Sequence, residues 1–322
     1  VFSLKDTEVT LLDTPGHVDF SAEAERTLQV LDCAILVISG TDGVQAHTRT
    51  LWRLLERYHV PTFLFVNKMD LAGADRSAVL AGLKQRLGSG CVDFSGERDE
   101  SFREEAAVCD ESVLERYLET GVLTDGDLRR MVGKRKLFPC WFGSALKLEG
   151  VAEFLEGVEQ YAPRKCCPPQ FGARVYKVAR DAQGVRLTYL KITGGSLRVK
   201  TPLTGGEGEM RWEEKADQIR IYSGAKYRAV EEAEAGTVCA VTGLSRTRPG
   251  EGLGFEAAGQ PPVLEPVLTY RLELPEGCDP HAALRQLREL EEEDPQLHIL
   301  WDERLREIHI PVSYTHLTLP TI

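Results

Sequence analysis

Continuous apolar runs recur through the first half of the chain. They cover residues 9–12, 33–38, 61–66 and 138–142. Runs of this kind are typical of parallel strands that are buried on both faces. Segments with helical spacing lie between them, for example at Leu51, Leu54, Leu55 and Tyr58. Because strands and helices alternate, the pattern predicts a doubly wound α/β domain over residues 1–165.

The spacing of apolar residues along the chain changes after a proline-rich linker at residues 163–170. Apolar and polar residues now alternate, and Gly194 and Gly195 predict a tight turn between two of the alternating runs. These runs cover residues 173–178, 187–192, 196–199, 218–222 and 237–241. Short alternating strands with glycine turns predict a small antiparallel β-barrel over residues 170–262.

A third pattern begins near Pro266. Residues 268–274 predict a strand, and Asp279 with Pro280 predicts the capped start of a helix. The helix would carry its apolar stripe on Leu284, Leu287 and Leu290, end at Asp294 and Pro295, and lead into a hairpin over residues 297–301 and 304–310. Residues 266–310 therefore predict part of a split, ferredoxin-like α+β domain.

Residues 13–17 read Asp-Thr-Pro-Gly-His and directly follow the first apolar run. The carboxylate of Asp13 suits Mg²⁺, held through water, because hard cations bind oxygen ligands. Gly16 has no Cβ, so its backbone N–H can approach a terminal phosphate closely. His17 is placed to orient an attacking water. The alternative for His17 is an exposed loop histidine.

A second polar motif, Asn-Lys-Met-Asp at residues 67–70, ends the third apolar run. The Asp70 carboxylate can accept hydrogen bonds from the two adjacent N–H donors of guanine, a pair that adenine lacks. The Lys68 stem can lie over the purine, and Asn67 can bridge loops around the base. Residues 143–146, after the fourth run, can offer a backbone N–H to the guanine carbonyl.

Each motif alone has a simpler explanation, since an Asp-x-x-Gly pattern is often only a turn. Both lie at strand ends, in this order, and ligands of open α/β sheets bind at the carboxyl ends of strands. Together they predict a guanine-nucleotide site. The phosphate-cradling motif G-x-x-x-x-G-K-[ST] does not occur in the sequence. We therefore expect that the chain starts after that loop and after the first strand of the sheet, and that it binds GTP weakly or not at all.

Composition narrows the possible functions further. The formal net charge of -11 argues against bulk electrostatic binding to nucleic acid. The eight cysteines show no metal-ligand spacing, which favours free thiols in a reducing compartment. No apolar run reaches membrane-spanning length. We expect a cytoplasmic protein without a membrane partner.

With these motifs, the chain resembles the elongation factor G group of translational GTPases, and within it the tetracycline-resistance ribosomal protection proteins. Residues 30–39 and 42–49 resemble the stretch between the two nucleotide motifs, and residues 235–244 resemble the barrel domain of elongation factors. The resemblance covers residues 1 to about 310. Residues 311–322 do not resemble the family, and we expect them to be foreign sequence.

The resemblance implies GTP or GDP and Mg²⁺ as ligands, the ribosome as partner, and a monomer off the ribosome. It implies nucleotide contacts from Asp13, Thr14, Pro15, Gly16, Asn67, Lys68, Asp70, Ser144, Ala145 and Leu146, magnesium at Asp13, and catalysis by His17. Leu146 departs from the family, which usually has Lys there. Likeness to the barrel also implies contact with small-subunit RNA, for which Lys191, Arg198 and Lys200 are candidates. Solvated strand-face charges are the alternative.

Three functional interpretations remain open. The first is a ribosome-dependent GTPase, acting in ribosomal protection against tetracycline or like elongation factor G. The second is a non-catalytic ribosome-binding module without a phosphate loop. The third is another translational GTPase, such as release factor three.

Overall fold

The computed structural model describes residues 1–5, 7–14, 21–164, 166–206, 211–257, 259, 268–275 and 277–312. The chain forms two compact units. The parallel-sheet unit contains residues 2–9 and 31–166, and the β-rich unit contains residue 1, residues 10–30 and residues 167–322. No helix in the described ranges is long and apolar enough to cross a bilayer.

Helices and strands are numbered separately in chain order. The helices are α1 (Ser21–Leu28), α2 (Ala46–Arg57), α3 (Arg76–Arg86), α4 (Glu100–Ala107), α5 (Glu111–Thr120), α6 (Asp125–Gly133), α7 (Val151–Tyr161) and α8 (Pro280–Glu293). The first ten strands are β1 (Phe2–Leu4), β2 (Thr7–Val9), β3 (Ala34–Ser39), β4 (Thr62–Asn67), β5 (Cys91–Asp93), β6 (Phe138–Phe142), β7 (Gly172–Arg180), β8 (Arg186–Gly194), β9 (Ser196–Arg198) and β10 (Pro202–Gly205). The others are β11 (Trp212–Lys215), β12 (Gln218–Ser223), β13 (Lys226–Val230), β14 (Glu232–Glu234), β15 (Val238–Thr242), β16 (Gly252–Gly254), β17 (Leu268–Leu272), β18 (Leu300–Asp302) and β19 (Glu307–Val312).

A four-stranded parallel sheet in the order β3-β4-β6-β5 forms the centre of the parallel-sheet unit. Strand β4 is buried on both faces, as its continuous apolar run predicts. Phe63 and Phe65 pack in one core cluster, which includes Phe154 of α7. Leu64 packs in the other cluster, which includes Trp52 of α2. The predicted strands at residues 33–38, 61–66 and 138–142 are confirmed to within one residue.

The predicted strand at residues 9–12 is wrong. Strand β2 ends at Val9 and forms an antiparallel pair with β1, with Phe2 opposite Val9. Phe2 and Val9 are the last pair of this ladder, so residues 10–12 lie beyond the paired residues. An apolar run becomes a strand only where a partner strand lies beside it.

Between β4 and β6 the chain forms β5 and the four helices α3–α6, which the apolar pattern alone did not locate. Their starts are marked by side-chain caps from Asp75, Asp99, Asp110 and Thr124. Each cap accepts backbone N–H groups that the first helical turn leaves unpaired. The spacing of Asp and Thr before apolar segments was therefore the available sequence signal.

The β-rich unit contains a six-stranded antiparallel sheet in the order β13-β12-β15-β8-β7-β16, beside the two-stranded pairs β10-β11 and β14-β9. One face forms a core that includes Leu190, Ile192 and Ile219. The turn at Gly194 and Gly195 is present, and Gly195 has a φ of 58°. The strands on either side of it are not a hairpin, because β9 pairs with β14 instead of β8.

A three-stranded antiparallel sheet in the order β17-β19-β18 accompanies α8. Asp279 caps α8 and Pro280 is its first residue, as predicted. Leu287 is buried on the predicted apolar stripe. Strand β19 continues to Val312, two residues beyond the predicted end, because Leu268 and Thr269 of β17 pair with Val312 and Pro311. Residues 313–322 lie outside the described residues.

Candidate functional site

The predicted nucleotide-contacting residues fall in both units. Asp13 and Thr14 belong to the β-rich unit, where Asp13 is exposed and Thr14 is half-buried. Pro15, Gly16 and His17 lie outside the described residues, so their roles stay predictions. The motif at residues 67–70 and the turn at residues 144–146 belong to the parallel-sheet unit.

Asn67 joins three loops at the carboxyl end of the parallel sheet. Its side-chain Oδ1 accepts hydrogen bonds from the backbone N–H groups of Lys68 and Ala145, both at 2.8 Å. Its backbone carbonyl accepts a hydrogen bond from Gly40 N at 2.7 Å. The loops that follow β3, β4 and β6 are therefore connected through one amide residue. We name the loops at residues 67–70 and 143–149 the base loops.

Lys68 adopts a left-handed backbone conformation, with a φ of 65°. This region is uncommon for residues other than glycine and is held where the surroundings fix it. The fixing contacts lie on both sides of the residue. Asn67 Oδ1 accepts the N–H of Lys68, and Met69 N donates to the carbonyl of Gly143 at 3.0 Å. Hydrogen bonds thus hold the backbone on both sides of Lys68, while the Lys68 side chain is exposed.

Asp70 is held by the neighbouring loop. The Ser144 hydroxyl donates to its carboxylate and is the main reason that the pKa of Asp70 lies below its ordinary value. Lys147 lowers the pKa further, with its Nζ 3.3 Å from Asp70 Oδ2. Asp70 is therefore ionised at neutral pH and can only accept hydrogen bonds. Only an ionised carboxylate can accept hydrogen bonds from two N–H donors without presenting a proton of its own.

A short turn carries Ser144, Ala145 and Leu146. Ser144 and Glu149 exchange two backbone hydrogen bonds of 3.0 Å, which close the turn. Gly143 fits because a Cβ there would lie 2.1 Å from the carbonyl oxygen of Glu149. The Leu146 side chain is 93% exposed, so only its backbone is constrained by the turn. The sequence prediction missed Lys147, the cation directly after Leu146, which contacts Asp70.

Lys191 was a wrong choice as an RNA contact. Its side chain is only 6% exposed, and its Nζ donates to the carbonyl oxygen of Val30 at 2.9 Å. Arg198 and Lys200 are exposed and form ion pairs with Glu232 and Asp217 at 3.0 and 2.6 Å. Their contact with RNA stays a prediction.

The exposed carboxylate of Asp13 is chemically suited to Mg²⁺, which proteins often bind through one or two carboxylates together with phosphates and water. Within the part of the chain that the structure describes, no group of three or more His, Cys, Asp or Glu side chains is arranged to hold a metal ion.

Comparison with known proteins gives concordant matches. The family model for the elongation factor Tu GTP binding domain matches residues 1–164. Elongation factor G of Ureaplasma parvum serovar 3 is 28% identical, over 96% of this chain and 56% of that protein. The oxytetracycline resistance protein of Streptomyces rimosus is 33% identical, over 94% of this chain and 51% of that protein.

Among solved structures, the crystal structure of ttk003000868 from Thermus thermophilus matches with a TM-score of 0.79 and 24% identity. It covers 94% of this chain, and the match covers 53% of that chain. At this identity the similarity concerns the fold. The chain spans about half the length of the curated relatives that it matches.

Proposed function

Because the chain belongs to the elongation factor Tu GTP-binding domain family, we propose that it is part of a ribosome-associated translational GTPase. The observation that carries this proposal is the pair of base loops. Asn67 fixes the two loops to each other, and Ser144 and Lys147 contact the Asp70 carboxylate. The same loops carry every base-contacting residue that the sequence predicts.

Guanine selectivity would come from Asp70. Its carboxylate accepts hydrogen bonds from N1–H and from the exocyclic amino group of guanine, while the backbone N–H in the turn at residues 144–146 contacts the guanine carbonyl. Adenine presents no donor at N1, so an ionised carboxylate facing it would lose its partners. That loss costs about 1–3 kcal/mol.

At the phosphate end, Asp13 would hold Mg²⁺ through water, with Thr14 and Pro15 in the same loop. Magnesium would neutralise the negative charge that spreads over the phosphate oxygens. Gly16 would offer its backbone N–H to the terminal phosphate, and His17 would orient the attacking water.

The finer architecture belongs to the same proposal. Strands β3–β6 would be part of a P-loop-type GTPase sheet, although the motif G-x-x-x-x-G-K-[ST] is not among the 322 residues. The six-stranded sheet and its two short pairs would be a translation-factor β-barrel. Strands β17–β19 and α8 would be part of a ferredoxin-like domain.

The biological role would be ribosomal protection against tetracycline or a step like that of elongation factor G, since relatives carry both names. The partner would be ribosomal RNA and protein at the factor-binding site. We expect a cytoplasmic protein that is monomeric off the ribosome.

The test uses the natural full-length protein and the variant Asp70→Asn. An asparagine accepts from N1–H but presents N–H groups where the guanine amino group also donates. Affinity for GTP should therefore fall at least about tenfold. Affinity for xanthosine triphosphate should rise, because xanthine has a carbonyl oxygen at that position. Calorimetry measures both, with Glu97→Gln as an exposed charge-removal control.

A second variant separates binding from hydrolysis. His17→Ala should bind GTP like the parent protein and lose ribosome-stimulated hydrolysis, because the histidine acts on water and makes no base contact. Unchanged turnover would remove His17 from the mechanism. A parent protein that binds ribosomes but hydrolyses no GTP with them would favour the non-catalytic module instead.

A further inference from the structure

The turn after β6 places a cation beside Asp70. Nζ of Lys147 lies 3.3 Å from Oδ2 of Asp70. The Lys147 side chain is 53% exposed, and ion pairs at exposed positions contribute little to folding stability because solvent screens them. The main effect of Lys147 therefore falls on the Asp70 carboxylate itself, which is the predicted acceptor for the base.

Hydrogen bonds fix the backbone that carries Lys147. Ser144 and Glu149 close the turn with two backbone hydrogen bonds, and Leu148 N donates to the carbonyl oxygen of Ala145 at 3.3 Å. Leu148 has a φ of 60°, in the left-handed region that residues other than glycine adopt only where their surroundings fix it. The backbone of Lys147 therefore has few other positions available.

The loop that carries Asp70 is bonded to the same turn. Met69 N donates to the carbonyl oxygen of Gly143 at 3.0 Å, and Asn67 Oδ1 accepts the N–H of Ala145 at 2.8 Å. These bonds set the separation of the two base loops but not the angle of the carboxylate plane. The last torsion of an aspartate side chain has a broad energy minimum, so the plane turns easily. A contact on one carboxylate oxygen limits that rotation.

The acceptor sites of the Asp70 carboxylate match what guanine requires. An ionised carboxylate offers about four lone-pair sites on its oxygens. Lys147 contacts Oδ2, and the Ser144 hydroxyl contacts the same carboxylate. These contacts leave about two sites, which is the number of adjacent N–H donors that guanine presents. An acceptor that is ordered before the ligand arrives binds it at a lower entropic cost.

We propose that Lys147 is a positioning residue that orders the Asp70 carboxylate for the two N–H donors of guanine, and so makes the site distinguish guanine from hypoxanthine. Hypoxanthine keeps N1–H and the carbonyl group but has no exocyclic amino group. Two parallel hydrogen bonds require one orientation of the carboxylate plane, whereas a single hydrogen bond tolerates many. Ordering therefore favours guanine over hypoxanthine. This inference rests on the proposed function.

The experiment uses the natural full-length protein and the variants Lys147→Met and Lys147→Arg. Methionine keeps most of the lysine stem without the charge, and arginine keeps a cation with N–H donors. Calorimetry measures affinity for GTP and for inosine triphosphate, whose base is hypoxanthine, and the ratio of the two is the guanine preference. Lys134→Met is the matched control, because it makes the same substitution at an exposed position between α6 and β6.

The parent should bind GTP at least about fivefold more tightly than inosine triphosphate, because the amino group adds a hydrogen bond to a charged acceptor. Lys147→Met should lower affinity for GTP at least about threefold, the scale expected when one more side chain must be ordered on binding. Its affinity for inosine triphosphate should stay within about 1.5-fold of the parent's, so the guanine preference falls.

Two further results separate this role from a general effect on the fold. Lys147→Arg and Lys134→Met should both keep the guanine preference of the parent. The urea midpoint of unfolding should be the same for Lys147→Met and Lys134→Met, since an exposed ion pair contributes little to stability.

Equal losses of affinity for the two nucleotides would show that Lys147 only supports the turn, and a gain in affinity for GTP would show that it competes with guanine. Either result, or a guanine preference of Lys147→Met equal to the parent's, would overturn the inference alone. A parent protein that binds neither nucleotide, or binds both equally, would overturn the proposed guanine site and the inference with it.

Discussion

At the scale of single residues, the geometry of the base loops depends most on the side-chain amide of Asn67. Its Oδ1 accepts two backbone N–H groups, one on each loop. We predict that Asn67→Ala lowers the free energy of unfolding by about 1–2 kcal/mol, since a typical hydrogen bond contributes about 1 kcal/mol. Urea unfolding at neutral pH measures the change.

Asn67→Asp is the matched control, because a carboxylate oxygen can accept both N–H groups. This variant should unfold closer to the parent than Asn67→Ala does. Equal losses in the two variants would mean that the bridging hydrogen bonds do not stabilise the loops.

Asp110 combines a helix cap with an ion pair. It accepts the N–H groups of Ser112 and Val113 at the start of α5, and its Oδ2 lies 2.6 Å from Lys136 Nζ. Lys136 first, and then the Ser112 hydroxyl, hold the pKa of Asp110 well below its ordinary value. The folded state therefore binds this proton less readily than the unfolded chain does.

The sign of the pH dependence follows from that difference. A carboxylate with a depressed folded pKa contributes its full stability above the unfolded pKa of about 3.9 and loses it as the pH falls further. We predict that Asp110→Asn unfolds more easily than the parent at pH 7, by about 1–2 kcal/mol. The difference in unfolding free energy between Asp110→Asn and the parent should become smaller between pH 4 and pH 3, as measured by urea titration. A gap that widened over this range would contradict the assignment.

At the scale of elements, substitutions at two helical glycines distinguish the effect of side-chain packing from the effect of helix propensity. A Cβ on Gly157 of α7 would lie 2.1 Å from Cζ2 of Trp141 on β6. A Cβ on Gly82 of α3 would meet nothing within 4 Å. The same substitution should therefore have opposite effects in the two helices.

We predict that Gly157→Ala destabilises the protein by about 1–3 kcal/mol, because overpacking outweighs the gain in helix propensity. Gly82→Ala should stabilise it by up to about 1 kcal/mol. Thermal unfolding compares the two variants directly. Stabilisation by both would show that α7 can shift away from the sheet at little cost.

The elements easiest to predict were helices that begin with a side-chain cap and strands that consist of a continuous apolar run. The Asp279 side chain accepts N–H groups only two and three residues further along, so the start of α8 depends on local contacts. The continuous apolar run of β4 predicts that both faces of the strand are buried, as they are. The end of β2 and the pairing of β9 with β14 were not predictable in this way. Both depend on which distant strand lies alongside, and no local period encodes that.

At the scale of the whole molecule, the eight cysteines are free thiols in different environments. Cys166, Cys167 and Cys278 are exposed. Burial raises the pKa of Cys109 to about 11 and that of Cys239 to about 12. The thiolate is the reactive form, so the raised pKa values slow the buried thiols.

We predict that the three exposed thiols react rapidly with a disulfide reagent at pH 8 in the native protein, and that the buried Cys91, Cys140 and Cys239 react only after unfolding. Replacing both Cys166 and Cys167 by Ser should leave one fast thiol. Fast reaction of Cys91, Cys140 or Cys239 in the native protein would show that one of the cores opens under these conditions.

From the sequence alone, the strands β3, β4 and β6, the start of α8 and the positions of the loops at residues 67–70 and 143–146 could be predicted. Hydrophobic period, caps and short motifs act over a few residues, so they can be read without a fold. The partners of the charged groups became known only from the folded arrangement of the chain. Lys191 alternates on a strand like a solvated residue, yet its acceptor Val30 is 161 positions away. Such pairs form because packing brings distant segments together and buried charge must then be satisfied.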